Sequence, residues 1–290
     1  MSKLVAIVGP TASGKSELAM MVARDFGGEI ICADSRTIYR GMDIGTAKPS
    51  QQDQHEIKHH MLDLVDPKQS YSAAEFKAAA QEAIGEIRAR HHLPIVVGGS
   101  GLYAYALLYD YEFPDGADNQ LRQELQQLSI GGLVDRLKTA DPEAYETIDL
   151  QNPRRVIRAI ETAGITKTKH QLMDGAILIG INPSADELVG RIQQRTKQMM
   201  SAGLLAETSR LVDSYGAELE ALRSPGYAEM LECLSGQISN TEAEDLINLH
   251  TRQLAKRQMT WFRRNPDIKW FETLEAARAY IASQLSEQKV

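Results

Sequence analysis

At 290 residues the chain has material for one large core or two domains, and 43% hydrophobic against 24% charged residues is ordinary for a globular protein in water. No apolar run approaches a membrane span, which excludes a helical membrane protein, and two distant cysteines, Cys32 and Cys233, exclude a disulfide scaffold and lack metal-ligand spacing. The net charge of −7 is uneven: residues 151–270 carry 16 Lys+Arg against 14 Asp+Glu, a local +2, and the remainder is −9. An acidic body with a more basic face for an anionic partner fits this, although most such imbalances are solvated surface. The N-terminus leads straight into a strand with no signal peptide, so a cytoplasmic protein is expected.

Leu4–Val8 reads as a buried strand. It runs into Gly9-Pro-Thr-Ala-Ser-Gly-Lys15-Ser16 and a helix-like stretch to Arg24. Strand, G-x-x-x-x-G-K-S loop and helix together make a phosphate cradle: backbone amides and a helix N-terminus face an anion, Lys15 adds charge, and Ser16 offers a hydroxyl to Mg²⁺. Glu29–Ala33 reads as a second strand ending at Asp34-Ser35. Strand ends of an open α/β sheet face the ligand crevice, so Asp34 is a candidate general base or metal carboxylate; a plain turn cap competes with that reading. Gln51–Lys58, the most polar stretch, is expected to hold a mobile central turn, and Met61–Val65 reads as a third strand. His55 and His59-His60 read as surface or core residues and not as a zinc site. Ser72-Ala-Ala-Glu75 is a capping box opening a helix to Arg90, with Ala73, Phe76, Ala80, Ala83, Ile84 and Ile87 at helical spacing. Pro94–Val97 is a buried strand turned by Gly98-Gly99-Ser100-Gly101 into the helix Leu102–Leu108. A nucleotide-hydrolysing enzyme commonly places an acidic Mg²⁺ ligand after such a strand; glycines and a serine stand here instead.

From Phe113-Pro-Asp onward no strand is expected until Ala176–Ile181. Leu121–Leu128, Leu133–Thr139, Pro142–Ile148 and Pro153–Thr162 read as short helices. Residues 112–175 are thus expected to be a small helical insertion in a core made of 1–111 and 176–290. Helices follow at Asp186–Ala202, Leu204–Tyr215, Ala228–Leu234 and Glu242–Arg264, then a strand at Ile268–Phe271 and a closing helix. Alternation of strand and helix implies a parallel sheet covered by helices. Arg154, Arg155 and Arg158 share one helix, and Arg191 and Arg195 lie four apart on another; arginine suits phosphate oxygens, but exposed helical arginine is most often a solvated face. Arg252, Lys256, Arg257, Arg263 and Arg264 interleave with Trp261 and Phe262. That pattern fits RNA, yet from the residues alone an amphipathic helix with Leu254, Met259, Trp261 and Phe262 in the core is the favoured reading.

Together these segments resemble the tRNA dimethylallyltransferase family, also called tRNA isopentenyltransferase. The resemblance rests on GPTASGKS at 9–16, DSRTIYRGMDIGTAKP at 34–49, DPKQSYSAAEF at 66–76, VGGSGLY at 97–103, NPRRVIRAIE at 152–161, RIQQR at 191–195 followed by Met199 and Gly203, GY at 226–227 and RQLAKRQMTWFRR at 252–264. It implies a P-loop NTPase-like fold and transfer of a dimethylallyl group from dimethylallyl diphosphate to N6 of the adenosine 3′-adjacent to a tRNA anticodon. Gly9, Thr11, Ala12, Ser13, Gly14, Lys15, Ser16, Arg155 and Arg195 would hold the diphosphate, with Mg²⁺ on Ser16. Asp34 would be the general base, and Ser100, where the family commonly has Thr, would hydrogen-bond near the reacting centre. Ser35, Tyr39, Gly41, Asp43, Gly45, Thr46, Lys48, Arg158, Arg252, Lys256, Arg257 and Arg263 would meet the anticodon stem-loop. The implied protein is a monomer without membrane attachment.

Three departures stand out against that family: Arg36-Thr37 in place of Met-Gln, a short stretch at Gly164–Gly175, and Pro225 before Gly226-Tyr227. A prenyltransferase acting on free adenylate, a small-molecule kinase, and an RNA-binding protein with a vestigial cradle are the competing readings. The basic 252–264 block opposes the first, and the missing acidic residue after Val97 opposes the second.

Overall fold

The computed structural model describes residues 3–111, 119–164 and 171–286, which form two compact units, Met1–Asp110 with Leu172–Val290, and Tyr111–Gln171. In the first unit, strand β1 (Leu4–Val8) is wholly buried and leads through the cradle into helix α1 (Lys15–Phe26). β2 (Gly28–Cys32), α2 (Gln51–Glu56), β3 (His59–His60), α3 (Ala73–Ala89), β4 (Leu93–Gly98) and α4 (Gly101–Leu108) follow. The second unit holds α5 (Asn119–Gln126), α6 (Ile130–Ala140), α7 (Pro142–Thr147) and α8 (Pro153–Glu161), closed over Leu125, Leu133, Leu137, Val156, Ile157 and Ile160. The chain then re-enters the first unit with β5 (Ala176–Ile181), α9 (Ala185–Ser201), α10 (Leu204–Tyr215), α11 (Tyr227–Leu234), α12 (Asn240–Phe262), β6 (Lys269–Phe271) and α13 (Leu274–Ser286).

All strands are parallel, in the order β3-β2-β4-β1-β5-β6. β1 lies between β4 and β5, so both its edges are paired and its apolar side chains are covered on both faces, as expected of a parallel sheet. The loops leaving β1, β2 and β4 all open on the carboxyl edge, where α/β sheets hold ligands. A further core, built by α10, α11, α12 and the connection between α10 and α11 from Leu204, Leu211, Leu222, Tyr227, Met230 and Ile247, receives Met42 from the long connection after β2. That connection is therefore anchored although it contains little regular structure.

Two local expectations are overturned. The third strand is His59–His60, not Met61–Val65: Ile30 N–H already reaches Lys58 O, and Met61 and Asp63 take left-handed φ of 64° and 54°, which end extended pairing. Val65 keeps a single bridge to Tyr39. Gln51–Glu56 is helical because Ser50 and Asp53 cap each other reciprocally at its start. The shortness expected of Gly164–Gly175 falls largely on residues outside the described set.

Candidate active site

The cradle has the backbone its sequence requires. Gly9 sits at φ +142°, and a Cβ there would come within 2.5 Å of Ile181 O on β5; a Cβ on Gly14, at φ +94°, would meet the Arg191 guanidinium at 2.7 Å. Ala12 also takes a left-handed φ, 61°. The loop crosses close to β5 and α9 because the two glycines carry nothing that would collide. It opens α1, so the amides of the first helical turn point into a crevice of about 580 Å³.

Thr11 to Ser16, Asp34, Gly45, Thr46 and Arg195 meet in that crevice. Lys15 is 9% exposed, and its ammonium donates to Pro10 O. Burial, assisted by Arg195 and opposed by Asp34, brings Lys15 down to about 7. Burial also lowers Arg195, which Asp34 partly restores. Arg195 donates to Thr11 Oγ1 at 3.3 Å and Thr46 O at 3.4 Å, both neutral oxygens. Asp34 accepts the Arg36 N–H on Oδ1 at 2.8 Å. Ser13 Oγ and Thr37 Oγ1 are buried in the same lining with no hydrogen-bond partner. Lys15, Arg195, the Asp34 carboxylate and unmatched hydroxyls, with Arg36, Arg191 and Glu17 in the same lining, thus surround a space suited to a polyanion.

The other expected residues sit elsewhere. Gly9 is buried and outside the crevice lining. Ser100 is outside the crevice lining: its hydroxyl accepts Ser35 N–H at 3.0 Å and lies 3.3 Å from Ser35 Oγ, so it fastens the end of β4 to the turn carrying Asp34. Lys48 has a different job from phosphate contact. Its side chain is 3% exposed, paired with Asp43 and Asp63 at 2.6 Å each, and it donates to Tyr39 O at 3.0 Å. Tyr39, Asp43 and Lys48 therefore hold their own loop together, and Gly41 turns it at φ +72°. Arg252, Lys256 and Arg257 are exposed on the outer face of α12, and Arg263 is exposed at its C-terminal cap. Arg155 and Arg158 belong to the second unit, where Arg155 lies 3.9 Å from Asp149 and Arg158 3.4 Å from Glu161.

Reading the sequence misses two residues that shape the crevice. Gln258 accepts Thr11 N–H at 2.7 Å and donates to Gly99 O at 3.1 Å, tying the cradle to the turn after β4. It falls on one face of α12 with Ile247, Thr251 and Leu254, all of which line the crevice. That shared stripe is the signal available in the sequence. Glu207 is buried and accepts N–H groups of Asp43, Ile44 and Gly45 at 3.0–3.1 Å plus the Tyr227 hydroxyl at 2.6 Å. Its position between Leu204 and Leu211 on an apolar helix face is the corresponding signal. Gly45 must be bare, since a Cβ would lie 2.3 Å from the Tyr227 ring. In the 252–264 block, Met259 and Phe262 are core as expected, whereas Leu254 lines the crevice and Trp261 is exposed.

Comparison with known proteins gives a consistent result. The sequence model of the IPP transferase family matches residues 37–265. A tRNA dimethylallyltransferase of Bacillus subtilis is 39% identical over 283 residues, 93% of this chain and 90% of its own length. A tRNA dimethylallyltransferase 1 of Pelobacter propionicus is 43% identical, covering 93% and 92%. The full-length tRNA isopentenylpyrophosphate transferase of Bacillus halodurans superposes with a TM-score of 0.74 at 37% identity, over 99% of this chain and 98% of that one. A eukaryotic dimethylallyltransferase acting on tRNA, at 24% identity and TM-score 0.84, shares the fold.

Proposed function

Because this chain belongs to the IPP transferase family, we propose that it transfers a dimethylallyl group from dimethylallyl diphosphate to N6 of the adenosine 3′-adjacent to a tRNA anticodon, releasing diphosphate. The observation that carries the assignment of roles is one crevice in which buried Lys15 and half-buried Arg195, each hydrogen-bonded only to neutral oxygens, stand with the Asp34 carboxylate. Lys15, Arg195 and the cradle amides bind the diphosphate. As the N6–carbon bond forms, the carbon–oxygen bond breaks and its electron pair stays on the diphosphate, whose added charge those cations stabilise. Asp34 accepts the amine proton, since one carboxylate oxygen beyond the Arg36 contact remains for it. The adenine leaves the anticodon stack to reach this point. For Arg155 and Arg158 the assignment rests on the motif alone.

Mg²⁺ fits the same end of the crevice. Ser16 presents an exposed hydroxyl at the start of α1, and Asp34 lines the same space. Among the described residues no group of three or more His, Cys, Asp or Glu offers an all-protein metal cage. That suits a cation held by one or two side chains, waters and substrate phosphates. When bound it would neutralise charge on the leaving diphosphate. We place the enzyme in the cytoplasm as a monomer; among the described residues no helix is long and apolar enough to cross a membrane.

The test is direct. Purified protein with dimethylallyl diphosphate, Mg²⁺ and an unmodified anticodon stem-loop should yield prenylated adenosine by mass spectrometry, and free AMP should be a poor acceptor. Absence of product from the stem-loop sinks the proposal.

A further inference from the structure

Helix α12 presents three faces. Arg252, Lys256 and Arg257 lie on its exposed side, exposed Arg263 and Arg264 follow its C-terminus, and Ile247, Thr251, Leu254 and Gln258 line the crevice. On the helical repeat, Trp261 falls between these two stripes, seven residues beyond Leu254 and four beyond Arg257. It is 40% exposed, an unusual state for the largest side chain. The indole lies close enough to Gly101 that a Cβ there would stand 2.2 Å from it. Gly101 belongs to the same turn as Ser100, which holds the Asp34-Ser35 corner through Ser35. Tyr105 braces the indole from α4, with ring centroids 6.0 Å apart. The ring is thus an exposed aromatic surface propped by α4, three residues beyond the crevice-lining Gln258 and on the helix that carries the exposed basic residues.

We infer that Trp261, supported by Gly101 and Tyr105, is a stacking site for a nucleobase adjoining the target adenosine, and that it holds the anticodon loop open while the adenine is in the crevice. The inference rests on the tRNA reading above. A base removed from its stack must be compensated, and the gap it leaves must be occupied or its neighbour held. An aromatic face supplies this without reading sequence, because every base has a π-face. Charge complementarity favours RNA as the occupant: exposed Arg257, Arg263 and Arg264 follow the same helix and suit the phosphates on either side of the stacked base. The role is positioning and not chemical, since Trp261 lies outside the crevice lining.

The chain has two tryptophans, and Trp270 packs against Gly180 inside the sheet region, so Trp270→Phe leaves Trp261 as the sole indole reporter. Titrating this variant with an unmodified anticodon stem-loop, in the presence of inorganic pyrophosphate and Mg²⁺, should quench its fluorescence. A stem-loop made abasic at the responsible flanking position should quench less. In the otherwise native chain, Trp261→Ala should raise the stem-loop KM roughly 5- to 100-fold, leave the KM for dimethylallyl diphosphate within about twofold, and be largely rescued by Trp261→Phe. The loss from Trp261→Ala and the loss from the abasic site should not add, because both remove one contact. Absence of quenching with bound RNA, additive losses, or a dimer that Trp261→Ala dissolves in sedimentation would overturn the site. The titration requires no turnover, so quenching without prenylation would overturn the proposed reaction and leave the stacking site standing.

Discussion

Both ends of β2 bury charge, and they are balanced in opposite ways. At the amino end the buried Glu29 carboxylate takes Arg90 Nε and Nη2 at 2.8 Å each, His60 Nε2 at 2.7 Å and His92 Nδ1 at 2.8 Å. The Arg90 hydrogen bonds, with those of the two histidines, hold its carboxyl at about 2 against the opposition of burial. Just past the carboxyl end, Asp34 faces Lys15 and Arg195, whose hydrogen-bond partners are neutral oxygens. There burial wins and lowers both cations. A buried charge with its full set of partners serves the fold. A buried charge left short of partners is an electrostatic cost that a ligand can relieve. The Cys32 thiol between them is pushed up to about 12 by burial and is inert.

The largest test of this contrast is Asp34→Asn. Turnover should fall about 10²–10⁴-fold while stem-loop affinity and thermal stability stay near those of the native chain. Retained turnover in a single-turnover assay would remove Asp34 from the chemistry. Glu29→Gln should do the reverse, with activity at saturating substrate kept and stability lowered by about 1–3 kcal/mol at neutral pH in urea unfolding. The depressed Glu29 value gives this a sign. Its stabilisation is complete above the ordinary carboxylate value of 4.5 and is lost as pH falls from there toward about 2, so the variant should unfold with a shallower acid dependence over that window. The smallest effect concerns Lys15. Pyrophosphate must meet a charged ammonium, so binding should take up protons above pH 7 and weaken by up to about tenfold between pH 7 and 8.5. Calorimetry in buffers of different ionisation enthalpy measures the uptake, and Lys15→Arg should flatten the profile. An unchanged slope in that variant would show that Lys15 is already charged in the empty crevice.

Much of the fold was legible because the rules involved are local. The cradle needs a strand, two glycines and a helix start, all contiguous from Leu4 to Arg24. The helix starts at Ser72, Asn152 and Ser184 are each marked by a side chain that caps its own N-terminus. The short helices of the second unit were visible from their own apolar spacing. The third strand was misplaced because an extended, apolar Met61–Val65 looks like a strand until His60 is tied to Glu29, a residue 31 positions away.

The sequence by itself determined that a G-x-x-x-x-G-K-S loop follows the first strand of a parallel α/β sheet, and its ordered motifs pointed to its family. Only the tertiary structure decided which residues of those motifs face the crevice. It turned Lys48 inward as a loop clamp, engaged Ser100 with Ser35, recruited Gln258 to the cradle across 247 residues, and left Trp261 exposed. The physical reason is that a motif constrains residue type through local backbone geometry, whereas burial and charge pairing depend on what other segments bring to the same place.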